Sequence, residues 1–191
     1  MDGMGLYVGI DPSLNRPGLA LLDAAGKVLL ATAFSVGRNT RGAERLAQNG
    51  RWAAGCLLQA GGEIIRACIE GPSLGSVHRE FDLGEGSGAL KAALYNYWPV
   101  EPLVVEPTRL KKFATGNAQA DKAEVLHAVK SVFGLDLGDD DDAADACMLA
   151  RLAWALDHKS SLKRRCELEV VSDLLTPKLK RRPRLKIPTN V

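Results

Sequence analysis

The chain has 191 residues, 46% of them hydrophobic, and its 25 Lys and Arg against 23 Asp and Glu leave a net charge of +2. That length suits one ordinary domain with an appendage, and the composition excludes a disordered chain. No apolar run approaches the roughly 20 residues that a membrane span needs.

The opening Met1-Asp2-Gly3-Met4-Gly5 has no signal-type stretch, and Cys56, Cys68, Cys147 and Cys166 show no CxxC spacing. A cytoplasmic protein with reduced thiols is expected. The small net charge conceals an asymmetry. Residues 159–191 hold ten basic and three acidic residues, whereas 1–158 hold 15 basic and 20 acidic. We therefore expect an acidic domain over 1–158 and a basic, partly disordered extension over 159–191, with a polyanionic partner.

Leu6–Ile10 reads as a first strand ending on Asp11, with Pro12, Asn15, Arg16 and Pro17 in the turn. Gly18–Asp23 and Lys27–Phe34 follow as two more strands of an antiparallel meander. Thr40 to about Gln59 has helical spacing of apolar residues and stops at Gly61-Gly62. Ile64–Ile69 is a fourth strand, ending on Glu70. A Gly- and Ser-rich loop carrying His78, Arg79 and Phe81 comes next, then a helix from about Ser87 to Trp98. Leu103–Glu106 makes strand five. A second loop, Lys111–Gln119, leads to a helix near Ala120–Phe133, and the last main helix runs from Asp142 to about Leu156.

The order β-β-β-α-β-α-β-α-α implies an α/β fold with a five-stranded mixed sheet flanked by helices. Strands four and five each follow a helix, so right-handed crossovers make them parallel members of that sheet. Strands one and four can then be neighbours, with Asp11 and Glu70 together at the C-terminal edge, where such sheets place their sites.

A third source of carboxylate is the run Asp139-Asp140-Asp141-Asp142-Ala143-Ala144-Asp145. Aspartates at a helix start cap free N–H groups, and Asp139 and Asp140 read that way. Asp145 lies a full turn in, where capping no longer explains it. It shares a helix face with Asp142, three residues back, and almost as well with Asp141, four back. Carboxylates crowded at one edge repel unless cations sit among them, and hard oxygen donors suit Mg²⁺ or Mn²⁺.

Gly9-Ile10-Asp11-Pro12-Ser13, Ile69-Glu70 and Asp142-Ala143-Ala144-Asp145-Ala146 resemble the RuvC family of Holliday-junction resolvases. So do Pro107-Thr108-Arg109-Leu110-Lys111-Lys112 and, further on, Gly116 and Ala120-Asp121-Lys122. The resemblance spans about residues 5–157. It implies an RNase H-like fold, a homodimer, two Mg²⁺ or Mn²⁺ ions and a crossover junction endodeoxyribonuclease activity on branched DNA in recombination and repair. Asp11, Glu70, Asp142 and Asp145 would be the catalytic metal ligands, Asp141 remaining an alternative to Asp142. Lys111, Lys112 and Lys122 would lie near the DNA, with Lys122 also serving catalysis.

The chain departs from that family after Glu70, where Gly71-Pro72-Ser73-Leu74-Gly75 lacks the usual aromatic and Phe81 is the nearest one. The Pro12-Ser13-Leu14-Asn15 turn and the basic tail look more like phage-type relatives. Two other readings share much of this pattern. A ribonuclease H acting on RNA–DNA hybrid would draw its glutamate from the first helix, where Glu44 stands. A junction-binding protein without cleavage would have no use for carboxylates facing phosphate. A four-way junction has two strands to cut, so one site per chain calls for a C2 dimer, with the apolar helix around Leu90–Trp98 as the expected interface. In the tail, Lys178, Lys180, Arg181, Arg182, Arg184 and Lys186 lie among three prolines without an acidic residue, which suits a flexible arm on phosphate.

Overall fold

A computed structural model describes residues 5–72 and 77–176, with the backbone alone for 77–83. His78, Phe81 and the six basic residues from Lys178 to Lys186 therefore lie outside what is described of side chains.

Five strands form one sheet in the order β3-β2-β1-β4-β5. They are β1 (Gly5–Asp11), β2 (Gly18–Leu22), β3 (Val28–Ala33), β4 (Glu63–Glu70) and β5 (Leu103–Val105). β1, β2 and β3 are an antiparallel meander, while β1–β4 and β4–β5 are parallel. The expected mixed sheet, with strands one and four adjacent, is the one observed.

Alternation along β1 and β2 divides the core in two. Val8, Ile10, Leu19 and Leu21 pack against α1 (Gly42–Ala60) and α2 (Val77–Tyr97), through Ala53, Leu57, Leu90 and Leu94. Tyr7, Ala20 and Leu22 face the opposite layer. That layer holds α3 (Pro107–Thr115), α4 (Lys122–Phe133), α5 (Asp141–Asp157) and α6 (Arg165–Leu175). Strands covered on both faces read as continuous apolar runs, as β1 and β2 do.

Two glycines set how closely α5 lies on the sheet. A Cβ at Gly9 would collide with the backbone of Ala146 and Ala150, and one at Gly18 with the carbonyl of Asp142. The bare strands meet an alanine-rich helix face at backbone contact, and this close approach carries the start of α5 to the end of β1.

The helices differ from expectation in three places. α2 begins at Val77, ten residues earlier than expected. Gly84, Gly86 and Gly88 suggested a loop, but at Gly86 a Cβ would stand 2.9 Å from the Pro12 carbonyl, so the glycine lets the helix pass close to the β1–β2 turn. The expected loop Lys111–Gln119 is mostly α3, with Pro107 at its first position and Gly116 as its left-handed cap. Buried Leu110, Phe113 and Ala114 hold it in the core.

The segment after 158 is not uniform either. Residues 165–175 form α6, whose Val170 and Val171 join the core with α3 and α5. In α2, Leu90 and Leu94 belong to the core of the same chain and are not free for a partner, whereas Tyr95 and Tyr97 are 57% and 58% exposed.

Candidate functional site

β1 and β4 pair in parallel up to Ile10 with Ile69, so Asp11 and Glu70 emerge side by side at the C-terminal edge of the sheet. α5 approaches the same edge from one face. Its cap is Asp140, whose side chain accepts from the Ala143 amide at 3.0 Å, and this is the capping role read from the sequence. The next turns project Asp142 and Asp145 toward the strand ends.

The electrostatics show how tightly these groups are gathered. Asp11 is only 8% exposed. Burial first, then the charges of Glu70, Asp145 and Asp142 and a hydrogen bond with Asp142, hold its carboxyl well above the usual range. Burial and the charge of Asp145 push Glu70 up to about 8, and the ammonium of Lys111 opposes the shift. Burial and the charge of Asp141 raise Asp145 to about 6, again opposed by Lys111. The structure thus brings together Asp11, Glu70, Asp142, Asp145 and Lys111.

The flanking aspartates are neutralised by cationic side chains. Arg16, in the β1–β2 loop, contacts Asp142 at 2.6 Å and Asp140 at 2.7 Å. Lys122, at the start of α4, pairs with Asp141. The charge of Asp141 nevertheless bears on Asp145, as that of Asp142 bears on Asp11. Lys112 points elsewhere, to Glu169 on α6 at 3.3 Å. The sequence reading placed Arg16 in a turn and gave it no part in the site. The available signal was a lone arginine just after the strand that ends on Asp11, opposite a run of aspartates.

Among the described residues no three His, Cys, Asp or Glu side chains already stand with the mutual spacing of cation ligands. The donor set nonetheless fits a hard divalent cation. It is all carboxylate oxygen, and burial with mutual repulsion holds Asp11, Glu70 and Asp145 above their usual range, a repulsion that a cation would offset. Asp11, Glu70, Asp142 and Asp145 are the residues that could hold it.

A mixed sheet in this order, with helices on both faces and acidic groups at the β1–β4 edge, defines an α/β protein of RNase H-like fold. No protein-family model matches the chain. It is 31% identical over 157 residues to the crossover junction endodeoxyribonuclease RuvC of Corynebacterium diphtheriae, an alignment covering 75% of this chain and 90% of that protein. Its identity to the RuvC of Corynebacterium efficiens is 31% over 163 residues, covering 78% and 69%. Among solved structures, T. thermophilus RuvC in complex with Holliday junction substrate has the same fold, with a TM-score of 0.61 at 19% identity, covering 78% of this chain and 91% of that one. A second Thermus thermophilus RuvC structure gives 0.59 at 17% identity, covering 81% and 96%. The chain belongs to the RuvC family of crossover junction endodeoxyribonucleases.

Proposed function

We propose that the chain is a metal-dependent endonuclease that resolves four-way DNA junctions by paired, symmetric nicks, acting as a C2 homodimer. The observation that carries this reading is the gathering of Asp11, Glu70, Asp142 and Asp145 at one sheet edge of a RuvC-family fold.

Two Mg²⁺ ions, or Mn²⁺ in their place, held by these four carboxylates would supply a water nucleophile of lowered pKa and charge stabilisation at the phosphate. The chain's own groups do the rest. Lys111 sets a positive charge beside Glu70 and Asp145, where a phosphate's negative charge would build up. Lys122 pairs with Asp141, whose charge also bears on Asp145, so Asp141 stays an alternative to Asp142 as a ligand. Asn49 donates to the Leu14 carbonyl at 3.0 Å and so pins the loop that presents Arg16. Glu44, which a ribonuclease H arrangement would use, is exposed on α1 and accepts from Gln48.

The four cysteines are free thiols, which suits work in a reducing cytoplasm. No helix of the described residues is long and apolar enough to cross a membrane. Lys178, Lys180, Arg181, Arg182, Arg184 and Lys186 would grip phosphate outside the site, with Lys112 a further candidate contact. Truncation after Leu175 is expected to lower the slope of log affinity against log salt by about 2 to 3 units.

The direct test incubates the protein with a mobile four-way junction and Mg²⁺ or Mn²⁺, maps nicks on all four strands, and runs an RNA–DNA hybrid beside it. Symmetric paired nicks on the junction carry the proposal. Single unpaired nicks from a monomer, or preference for the hybrid, would overturn it.

A further inference from the structure

Beside the acidic edge lies a second concavity of about 520 Å³, enclosed by the β1–β2 loop and the segment joining β3 to α1. Asn15, Gly37, Arg38, Thr40, Arg41 and Arg45 line it, and no carboxylate does. Arg38 and Arg41 are exposed on its rim. Arg45 forms its wall and donates through a terminal nitrogen to Asn15 Oδ1 at 3.2 Å. Among the described residues none of the three arginines is in an ion pair.

Two further observations point to an anionic occupant. The Nε of Arg45 is buried and, among the described residues, has no hydrogen-bond partner, a rare state for a charged donor. The helix that starts here, α1, has no side-chain cap at Arg41, so its first amides are also open to an acceptor. Guanidinium groups match the oxygens of a phosphate in fork geometry. No aromatic side chain lines the cavity for base stacking.

The cavity shares a wall with the candidate active site. The Asn15 carbonyl accepts from the Val36 amide at 3.0 Å, and the next residue, Arg16, holds Asp142. A strand seated in the cavity would therefore lie alongside the acidic edge. We propose that the Arg38–Arg41–Arg45 cavity binds a backbone phosphate of the DNA, separate from the scissile one, and positions the strand over the carboxylates. This rests on the nuclease reading above. Such a contact orients the DNA without reading its sequence.

The test measures junction affinity against salt in an Asp145→Asn background. The double variant Arg38→Ala/Arg41→Ala is expected to lower the log–log slope by about 0.9 unit, the loss of one phosphate contact. The variant Arg38→Lys/Arg41→Lys, which keeps the charge, is expected to retain the slope. An unchanged slope in a double alanine variant with the parent's circular dichroism overturns the proposal.

Arginine Nε–H resonances of the ¹⁵N-labelled protein separate this failure from that of the nuclease reading. If the wild type neither binds nor nicks junctions, a shift of the Arg45 Nε–H signal on adding duplex DNA, absent in the alanine variant, still supports the phosphate seat. No shift with duplex DNA, or a shift with inorganic phosphate alone, overturns it.

Discussion

Two sets of carboxylates are buried in this fold and they are held in opposite ways. Glu167 on α6 has no exposed surface, yet Arg151 contacts its two oxygens at 2.6 and 3.1 Å and Arg164 adds a third contact at 3.3 Å. Arg164 continues to the Ala114 carbonyl at 2.5 Å, and the Arg151 guanidinium lies over Phe133 and Trp154. At the other end of α5, Asp11, Glu70 and Asp145 face mainly other carboxylates, Asp141 and Asp142 among them, with Lys111 as partial relief for Glu70 and Asp145. The paired carboxylate fastens α3, α5 and α6 together. The crowded ones add no such fastening and depend on that framework to stay close. A buried charge with its partners belongs to the structure, and a group of buried charges without them marks a place for something that binds.

The comparison breaks most visibly through activity. Asp11→Asn, Glu70→Gln, Asp142→Asn and Asp145→Asn are each expected to reduce junction nicking by on the order of a hundredfold or more, while junction affinity holds or rises. Full activity in Asp145→Asn, with Asp141→Asn inactive, would move the site by one helix position. The same substitutions relieve repulsion, so metal-free unfolding by urea is expected to show equal or greater stability.

Glu167→Ala is expected to do the reverse. It leaves two buried or half-buried guanidinium groups uncompensated and costs about 3 kcal/mol or more in urea unfolding. A loss below about 1 kcal/mol would mean that Arg151 and Arg164 find water as readily as they find Glu167.

The next effect is a pH dependence that only the crowded set can produce. Glu70 titrates near 8 in the fold against an ordinary 4.5, and Asp145 near 6 against 3.8. An acid whose folded pKa is raised favours folding while it is protonated. That contribution is intact below about pH 4 and is lost as the pH climbs through 6 for Asp145 and 8 for Glu70. Metal-free protein is therefore expected to lose on the order of 5 kcal/mol between pH 5 and pH 8, most of it through Glu70. Mg²⁺ or Mn²⁺ at a hundredfold excess over its dissociation constant would return about 2.7 kcal/mol, with the larger rise in Tm at pH 8. Equal metal stabilisation at pH 5 and pH 8 would detach the cation from these carboxylates.

The paired strand ends were legible because the information is local. β1 and β4 are largely apolar runs closed by Asp11 and Glu70, and the crossover rule makes them parallel members of one sheet in which they can be neighbours. Helical spacing put Asp145 on one face with Asp142 or Asp141, and only the family resemblance favoured Asp142. What escaped reading depends on contacts distant in sequence. The glycines of α2 look like loop residues until Pro12 is seen against Gly86. The lysine pair in α3 masked the spacing of Leu110, Phe113 and Ala114. In the basic extension, charge counting averaged α6 with the tail, although Glu167, Val170 and Val171 carry the pattern of a docked helix face. Arg16 could not be assigned from its turn, because its partners lie 124 and 126 residues away.

Arg16 is also where the two regimes meet, since it is a single guanidinium shared between a capping aspartate and a candidate metal ligand. Its side chain is 38% exposed, so its ion pairs are expected to contribute only about 0.5–1 kcal/mol to folding, and Arg16→Gln is expected to unfold at nearly the parent's urea midpoint. Its effect on cation binding points the other way. The Arg16 contact at 2.6 Å occupies an oxygen of Asp142 that a cation would need, so removing it frees a ligand and is expected to tighten Mn²⁺ binding by calorimetry. The gain is limited to about fivefold if the released interaction is of the size just given. Weaker Mn²⁺ binding in Arg16→Gln, at unchanged stability, would mean that Arg16 orients Asp142 for the metal and does not compete with it.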